Sequence, residues 1–465
     1  MLNIFENINP TSKINFEDRV IPLFKIKEES ESISLSQFQS DGNYVSIITK
    51  NSYSFVKHLL AVWNNGLIPV PINHQLKNVQ VKEMLGSINC SNLIVDSDVK
   101  QNYTSVCKTV LSFEELEKSN SINNKYNNTA VVLFTSGSTS FPKAVPLSFY
   151  NFDEHYKSIK SRFNLSKEDN WLASLPFYHI GGFAIIMRAL LSGADLSLVN
   201  SYKTGEIISA VNKFNPSHIS LVPTQLFEIV NNHIKPNTNH KALFLGGGPS
   251  NYNLVNAAIE LGWNIIKVYG STETCSMVSS VSIKDYPAKI NSSGKAFDQN
   301  EIIIVDDKMN PLSKNQIGEI VIKSNSLSSG YINNENNQFG SFGFLTKDFG
   351  YIDDDGFLHI EMRREDLIVT GGENVNPFEI ENVIKNFNFV EDSVVIGVDD
   401  VKWGQIICAV VQTKSDVNIN DFIKDLKSIL PSFQVPKQII IVDSIPRNEM
   451  GKVKRNDLKK LFMKS

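Results

Sequence analysis

The chain has 465 residues, 42% hydrophobic and 20% charged, with a formal net charge of −4. At roughly 150 residues per domain this is too long for one hydrophobic core, and it is too apolar for a disordered chain. Its Lys and Arg residues are scattered, which argues against an extended nucleic-acid surface but leaves room for a local phosphate site.

Cys90, Cys107, Cys275 and Cys408 form neither a CxxC pair nor a zinc spacing, and read as reduced thiols of a cytoplasmic protein. Met1-Leu2-Asn3-Ile4-Phe5-Glu6 has no basic or apolar region of a signal peptide. No run reaches the roughly 20 apolar residues of a membrane span. The best candidate, 183–191, is short and broken by Arg188. A protein without a transmembrane segment is expected.

In chain order, 43–49 reads as a strand, 52–64 as a helix with Phe55, Leu59 and Val62 on one face, and 67–72 as a strand after Gly66. The Asn- and Ser-rich stretch 118–128 reads as a loop. A buried strand at 130–134 and a helix at 151–162 follow. Short apolar runs at 218–222, 242–245 and 265–268 alternate with helical stretches. This rhythm predicts an α/β fold with largely parallel sheets. Near residue 363 the pattern changes. Leu367-Ile368-Val369 leads to a Gly-Gly turn and a helix from Pro377, with Asn376 as N-cap and Glu379 three residues on. Strands are expected at 393–398 and 406–413. The C-terminal part therefore reads as a separate small α+β domain.

Five segments could carry chemistry. Thr135-Ser136-Gly137-Ser138-Thr139-Ser140-Phe141-Pro142-Lys143 follows a buried strand. Glycine and small hydroxyl residues let backbone N–H groups approach phosphate oxygens, and the lysine adds charge. The spacing is not that of a Walker loop, and a polar surface turn would look alike. Tyr269-Gly270-Ser271-Thr272-Glu273-Thr274 also follows an apolar strand. It offers an aromatic face for a base, a hydroxyl for phosphate and a carboxylate for Mg²⁺, although a glutamate there is usually just solvated. Asp348 after Thr346-Lys347, with Arg363 further on, would suit ribose hydroxyls, while the acidic run Asp353-Asp354-Asp355 between them has the composition of a turn. Gly371-Gly372-Glu373-Asn374 permits close backbone approach or a sharp reversal. Lys452, in Pro446-Arg447-Asn448-Glu449-Met450-Gly451-Lys452, would alone be read as surface decoration.

In order and spacing these segments resemble the acyl-activating, adenylate-forming family of acyl-CoA synthetases, peptide-synthetase adenylation domains and firefly-type luciferases. The resemblance runs from about residue 43 to residue 460. It implies a large N-terminal domain of several subdomains, 1–364, and a small mobile α+β lid, 365–465, hinged at Glu365. It implies ATP, Mg²⁺ and coenzyme A as ligands, with a carboxylic acid adenylated first and then passed to a thiol. Thr135, Ser136, Gly137, Ser138, Thr139 and Lys143 would hold phosphates, Thr272 the α-phosphate and Glu273 the Mg²⁺. Gly246, Gly247 and Gly248 with Tyr269 would sandwich the adenine, with Gly270 beside them, and Asp348 and Arg363 would hold the ribose. Lys452 would bridge the α-phosphate and the substrate carboxylate. After lid rotation Gly371, Gly372, Glu373 and Asn374 would line a pantetheine tunnel. The sequence departs from the family at Ser140, Ala144, Lys347 and Met362, where glycine is usual, and at Glu365, where aspartate or lysine is common.

Within the family, Trp171-Leu172, Pro176-Phe177-Tyr178-His179-Ile180, Ile186-Met187-Arg188, Leu245-Gly246-Gly247-Gly248-Pro249 and Thr272-Glu273-Thr274-Cys275-Ser276 resemble the branch that makes the CoA thioester of o-succinylbenzoate in menaquinone biosynthesis. His179 and Arg188 are then expected at the acid pocket, with Arg188 facing the carboxylate that is not activated. The other reading of Arg188 is a packed stem whose head meets solvent or a structural partner. Pro-Phe-Tyr-His stands where amino-acid-activating relatives carry an aspartate, which argues against an amino acid. A fatty- or aryl-acid CoA ligase, a ligase loading a carrier protein, or a non-catalytic nucleotide- or acyl-binding relative are the alternatives. The sequence is silent on whether two copies form a homodimer.

Overall fold

Strands buried on both faces return to the same parallel sheet only through a crossover, usually a helix, and the short apolar runs of this chain are so arranged. The computed structural model describes residues 9–38, 43–49, 53–118, 127–135, 142–248, 250, 252–333, 338–363, 368–370, 373–375, 377–400, 403–448, 451 and 453–462. The chain divides into two compact units, 1–302 with 321–345 and 303–320 with 346–465. The strands Asn300–Val305, Gly318–Ser324 and Gly343–Ile352 run through that division.

In the first unit, Ile265–Ser271, Ala242–Leu245, His218–Leu221, Asn170–Ala173 and Asp195–Leu198 lie side by side in parallel. Antiparallel strands Ser276–Ser282 and Lys295–Ala296 extend one end. At the other end the hairpin Lys13–Phe16 and Arg19–Pro22 joins, with Ile14 opposite Leu196. Within this sheet Trp171, 0% exposed, stacks on His218 at 4.6 Å and on Phe244 at 5.7 Å.

A second, four-stranded parallel sheet runs Ile68–Pro71, Tyr44–Ile48, Asn92–Val95, Thr109–Ser112. Its helix Tyr53–Asn64 is buried nearly all round rather than along one face. His58 stacks on Phe113 at 4.0 Å, and Trp63 Nε1 donates to the Ala130 carbonyl at 2.7 Å. The strands Thr129–Phe134 and Ala144–Ser148 form an antiparallel pair. The expected loop at 118–128 begins in the short strand Glu117–Lys118, and 119–126 lie outside the described residues.

In the second unit, Val390–Asp400 and Gly404–Thr413 form a long antiparallel pair, to which Gln438–Val442 adds in parallel and Ile368–Thr370 with Glu373–Val375 at the far end. Period-two alternation gives this sheet two buried faces. Val395, Ile407, Ala409 and Val411 pack with Ile380, Phe422 and Leu426, whereas Val394, Ile396, Cys408 and Val410 pack with Leu458 and Phe462. Among the described strands Val390–Asp400 pairs only with Gly404–Thr413. At the middle of the strand, the Val395 N–H donates to Glu381 Oε1 at 2.9 Å and the Val395 carbonyl accepts from Arg455. Glu381 and Arg455 are themselves paired at 3.3 Å.

Candidate functional site

Phe134 lies opposite Ala144 in the antiparallel pair, so Thr135 and Lys143 face each other where the two strands part. The Thr135 N–H donates to the Lys143 carbonyl at 2.9 Å. The expected phosphate residues Ser136, Gly137, Ser138 and Thr139 connect them and lie outside the described residues. Lys143 Nζ donates to Gln338 Oε1 at 3.1 Å and sits 4.4 Å from the centroid of the Tyr331 ring. The Tyr331 hydroxyl reaches Glu273 Oε1 at 2.9 Å. Two expected site residues from distant parts of the sequence thus meet around a tyrosine and a glutamine. Neither Tyr331 nor Gln338 is marked in the sequence, where both sit in an Asn-rich stretch with no periodic signal.

Glu273 is held by its turn. Ser271 N–H donates to Thr274 Oγ1 at 2.8 Å, Cys275 N–H to the Thr272 carbonyl at 3.1 Å, and Ser328 N–H to the Glu273 carbonyl at 2.8 Å. Cys275 and Ser276 take φ of 56° and 99°, left-handed values that side chains avoid. Gly270 is obligatory in this hairpin, because a Cβ there would lie 1.9 Å from the Ser276 carbonyl oxygen. Glu273 is 9% exposed. Its Oε2 has no hydrogen-bond partner among the described residues, so a hard carboxylate oxygen is available to a cation such as Mg²⁺. Thr272 precedes it, half-buried.

Gly246, Gly247 and Gly248 follow the end of Ala242–Leu245, and Tyr269 lies on the neighbouring strand. A Cβ on Gly246 would come within 2.8 Å of Val268 Cγ2. The glycines and Tyr269 therefore share one rim of the parallel sheet, its carboxyl ends, where open α/β sheets bind ligands.

His179 is the N-cap residue of the helix Ile180–Ser192. Its carbonyl accepts from Phe183 N–H at 2.9 Å, and its ring lies 4.9 Å from that of Tyr178. Arg188 is about 13 Å further along the same helix, at 1.5 Å per residue. It is 2% exposed. Its Nη2 donates to Ser276 Oγ at 2.8 Å and to His155 Nε2 at 3.2 Å, and its guanidinium stands 5.6 Å from the Trp171 ring centroid. Among the described residues Nε has no hydrogen-bond partner and Arg188 makes no ion pair. Burial draws the guanidinium down to about 10. Burial, with Arg188 beside it, holds the His155 imidazole well below its ordinary value. The guanidinium thus reaches no solvent and is tied instead to the residue that starts the strand after the Glu273 turn.

In the second unit Asp348 and Arg363 are cross-strand partners in the pair Gly343–Ile352 and Leu358–Arg363. Asp348 is 6% exposed and its N–H donates to Thr346 Oγ1 at 3.0 Å. Glu373 and Asn374 belong to the strand Glu373–Val375, antiparallel to Ile368–Thr370. Glu365, Gly371, Gly372, Asn376 and Lys452 lie outside the described residues. Around Lys452, Arg447 and Val453 form an antiparallel bridge, and Arg447 Nη1 donates to the Gly451 carbonyl at 2.9 Å.

A family model described as AMP-binding enzyme matches residues 38–332, and one described as AMP-binding enzyme C-terminal domain matches residues 379–452. A 2-succinylbenzoate–CoA ligase of Listeria innocua is 32% identical over 430 residues, 89% of this chain and 88% of that protein. The structure of o-succinylbenzoate CoA synthetase from Bacillus subtilis in complex with the acyl-adenylate intermediate aligns with a TM-score of 0.89 at 27% identity, over 98% of this chain and 97% of that one. The Bacillus subtilis synthetase in complex with ATP and magnesium ion gives a TM-score of 0.89 at 27% identity, over 98% of each chain.

Proposed function

The chain belongs to the AMP-binding enzyme family, and from that premise we propose that it is an ATP-dependent acid–CoA ligase whose acid is 2-succinylbenzoate. The observation that carries the reaction class is the convergence of Lys143 and Glu273, a cation and an open carboxylate, on Tyr331 and Gln338. In the first half-reaction a carboxylate oxygen of the acid attacks the α-phosphorus of ATP and diphosphate leaves. Both reactants are anionic, so fixed cations and dipoles must offset their repulsion. Lys143, Thr135 and the residues 136–139 bind the phosphates, Thr272 contacts the α-phosphate, and Lys452 bridges it to the attacking carboxylate. Glu273 is the ligand for Mg²⁺, which supplies charge neutralisation on the phosphates when bound. Gly246, Gly247, Gly248, Tyr269 and Gly270 take the adenine; Asp348 and Arg363 take the ribose.

In the second half-reaction the sulfur of coenzyme A attacks the acyl carbon and AMP leaves. We assign the hinge to Glu365, between 1–364 and 365–465, with Gly371, Gly372, Glu373 and Asn374 lining the thiol's path after rotation. Arg188 supports the choice of a diacid. A buried cation without an acidic partner is costly, and the distal carboxylate of 2-succinylbenzoate would complete it, with His179 at the other end of the same helix. Among the described residues no helix is long and apolar enough to cross a membrane; we place the enzyme in the cytoplasm, where ATP and coenzyme A are both supplied, at the step of menaquinone biosynthesis expected from the sequence.

Diphosphate release from ATP, measured with 2-succinylbenzoate, benzoate, hexanoate and amino acids, tests this reading, followed by mass detection of the CoA thioester. Highest kcat/KM with 2-succinylbenzoate is expected. Preference for a monocarboxylate rejects the substrate, and no diphosphate with any acid rejects the ligase.

A further inference from the structure

Lys143 and Glu273 could act as two independent side chains, each meeting its own part of ATP. Their surroundings tie them together. A tyrosine hydroxyl has one proton to give, and Tyr331 is within reach of Glu273 Oε1 at 2.9 Å and Gln338 Oε1 at 3.3 Å. The nearer and charged oxygen takes the proton. One carboxylate oxygen is thereby fixed while the other stays open. Gln338 Nε2 donates to the Leu345 carbonyl at 3.0 Å, which sets the direction of the amide and turns its oxygen toward Lys143. The ammonium lies over the Tyr331 ring, and that ring is braced edge-on against Phe339 at 5.4 Å. Gln338 is only 9% exposed and Tyr331 6%.

We propose that Tyr331 and Gln338 are positioning residues for adenylation, which hold the Lys143 ammonium and the Glu273 carboxylate as one prearranged pair. This rests on the reading of Glu273 as the Mg²⁺ ligand and Lys143 as a phosphate ligand. The lysine side chain surrenders its rotamer freedom before ATP arrives rather than on binding. Tyr331 aims the carboxylate, as a hydrogen-bonded neighbour commonly does for a metal-ligating oxygen. The two residues have separable duties: the hydroxyl serves the metal, and the amide serves the phosphate cation.

Tyr331→Phe keeps the ring, its packing and its cation–π face, and removes only the hydroxyl. Binding of α,β-methylene-ATP, which cannot be cleaved by adenylation, is followed by calorimetry across a Mg²⁺ titration. In Tyr331→Phe the Mg²⁺ concentration giving half of the binding enhancement should rise roughly tenfold or more, while binding without Mg²⁺ stays at the wild-type level. Gln338→Met should weaken analogue binding equally at every Mg²⁺ concentration. Both variants should form thioester from supplied acyl-adenylate at the wild-type rate, an outcome that general damage to the fold would not give. A wild-type Mg²⁺ dependence in Tyr331→Phe, unweakened binding in Gln338→Met, or equal loss of both half-reactions overturns the proposal. Glu273→Gln is the control. If it too keeps the wild-type Mg²⁺ dependence, the assignment of Glu273 to the metal has failed, and the positioning role falls with it.

Discussion

Lys347 holds a φ of 62° immediately before Asp348. In that left-handed region a Cβ crowds the following carbonyl, at roughly 1–2 kcal/mol for a residue other than glycine. The family resemblance leads one to expect glycine at this position, and the backbone holds the conformation a glycine would favour. Lys347→Gly is therefore expected to stabilise the fold by about 1 kcal/mol and Lys347→Val to destabilise it by at least that much, read from denaturant midpoints. A lower midpoint for the glycine variant would contradict the strain. Arg188 poses the complementary case, a charge held where charge is expensive. Arg188→Met should lower kcat/KM for 2-succinylbenzoate far more than for benzoate or hexanoate. An unchanged preference for the diacid would assign Arg188 to the fold alone, through Ser276 and His155.

Elements differ in how openly the sequence declares them. The strand expected at 242–245 is Ala242–Leu245 to the residue, because a strand buried on both faces is written as an unbroken apolar run. The hairpin of Lys13–Phe16 and Arg19–Pro22 carries no such signal. Its strands are four residues long, and the partner that stabilises them, Asp195–Leu198, lies far along the chain. The same holds for side chains. Gly270, Thr272 and Glu273 are legible because a turn after an apolar strand concentrates them, whereas Tyr331 meets Glu273 across 58 positions and Gln338 meets Lys143 across 195. The strand Val390–Asp400 adds a local device, an irregular register between Val390 and Asp392. Asp392 receives Lys385 Nζ at 2.9 Å and also Arg447, from the segment that carries Lys452. Burial alone would raise its carboxyl, but Lys385 and Arg447 more than offset this and hold it below the ordinary value. A depressed folded-state value means the stabilisation is complete above the unfolded value of about 4 and disappears as pH falls through the folded one. Asp392→Asn should thus be less stable than wild type by a constant margin at neutral pH, with the gap closing below about pH 4. A gap independent of pH would show that the charge is immaterial.

At the scale of the whole molecule, the reading of two half-reactions served by one rearranging C-terminal part makes paired predictions. Lys452→Ala should slow adenylation by on the order of a hundred- to a thousand-fold, as loss of one transition-state contact typically does, and spare thioester formation from supplied acyl-adenylate. Gly372→Leu should do the reverse, accumulating acyl-adenylate while thioester fails to appear, because a side chain there would obstruct the thiol's path. Rapid-quench measurement of each half-reaction checks both, and equal damage in either variant would end the alternation scheme. The capping of Val395 by Glu381 and Arg455 bears on how copies of the chain coexist. An outermost strand with exposed N–H and C=O groups is a template on which a stranger's strand can crystallise into a growing ribbon. Here a carboxylate and a guanidinium occupy both backbone groups at the strand's midpoint, so the molecule's own side chains stand where an intruder would dock. Glu381→Ala should therefore raise light scattering in concentrated solution over days, with cross-β dye binding, well before activity declines; clear, monodisperse solutions would show that this rim needs no guard.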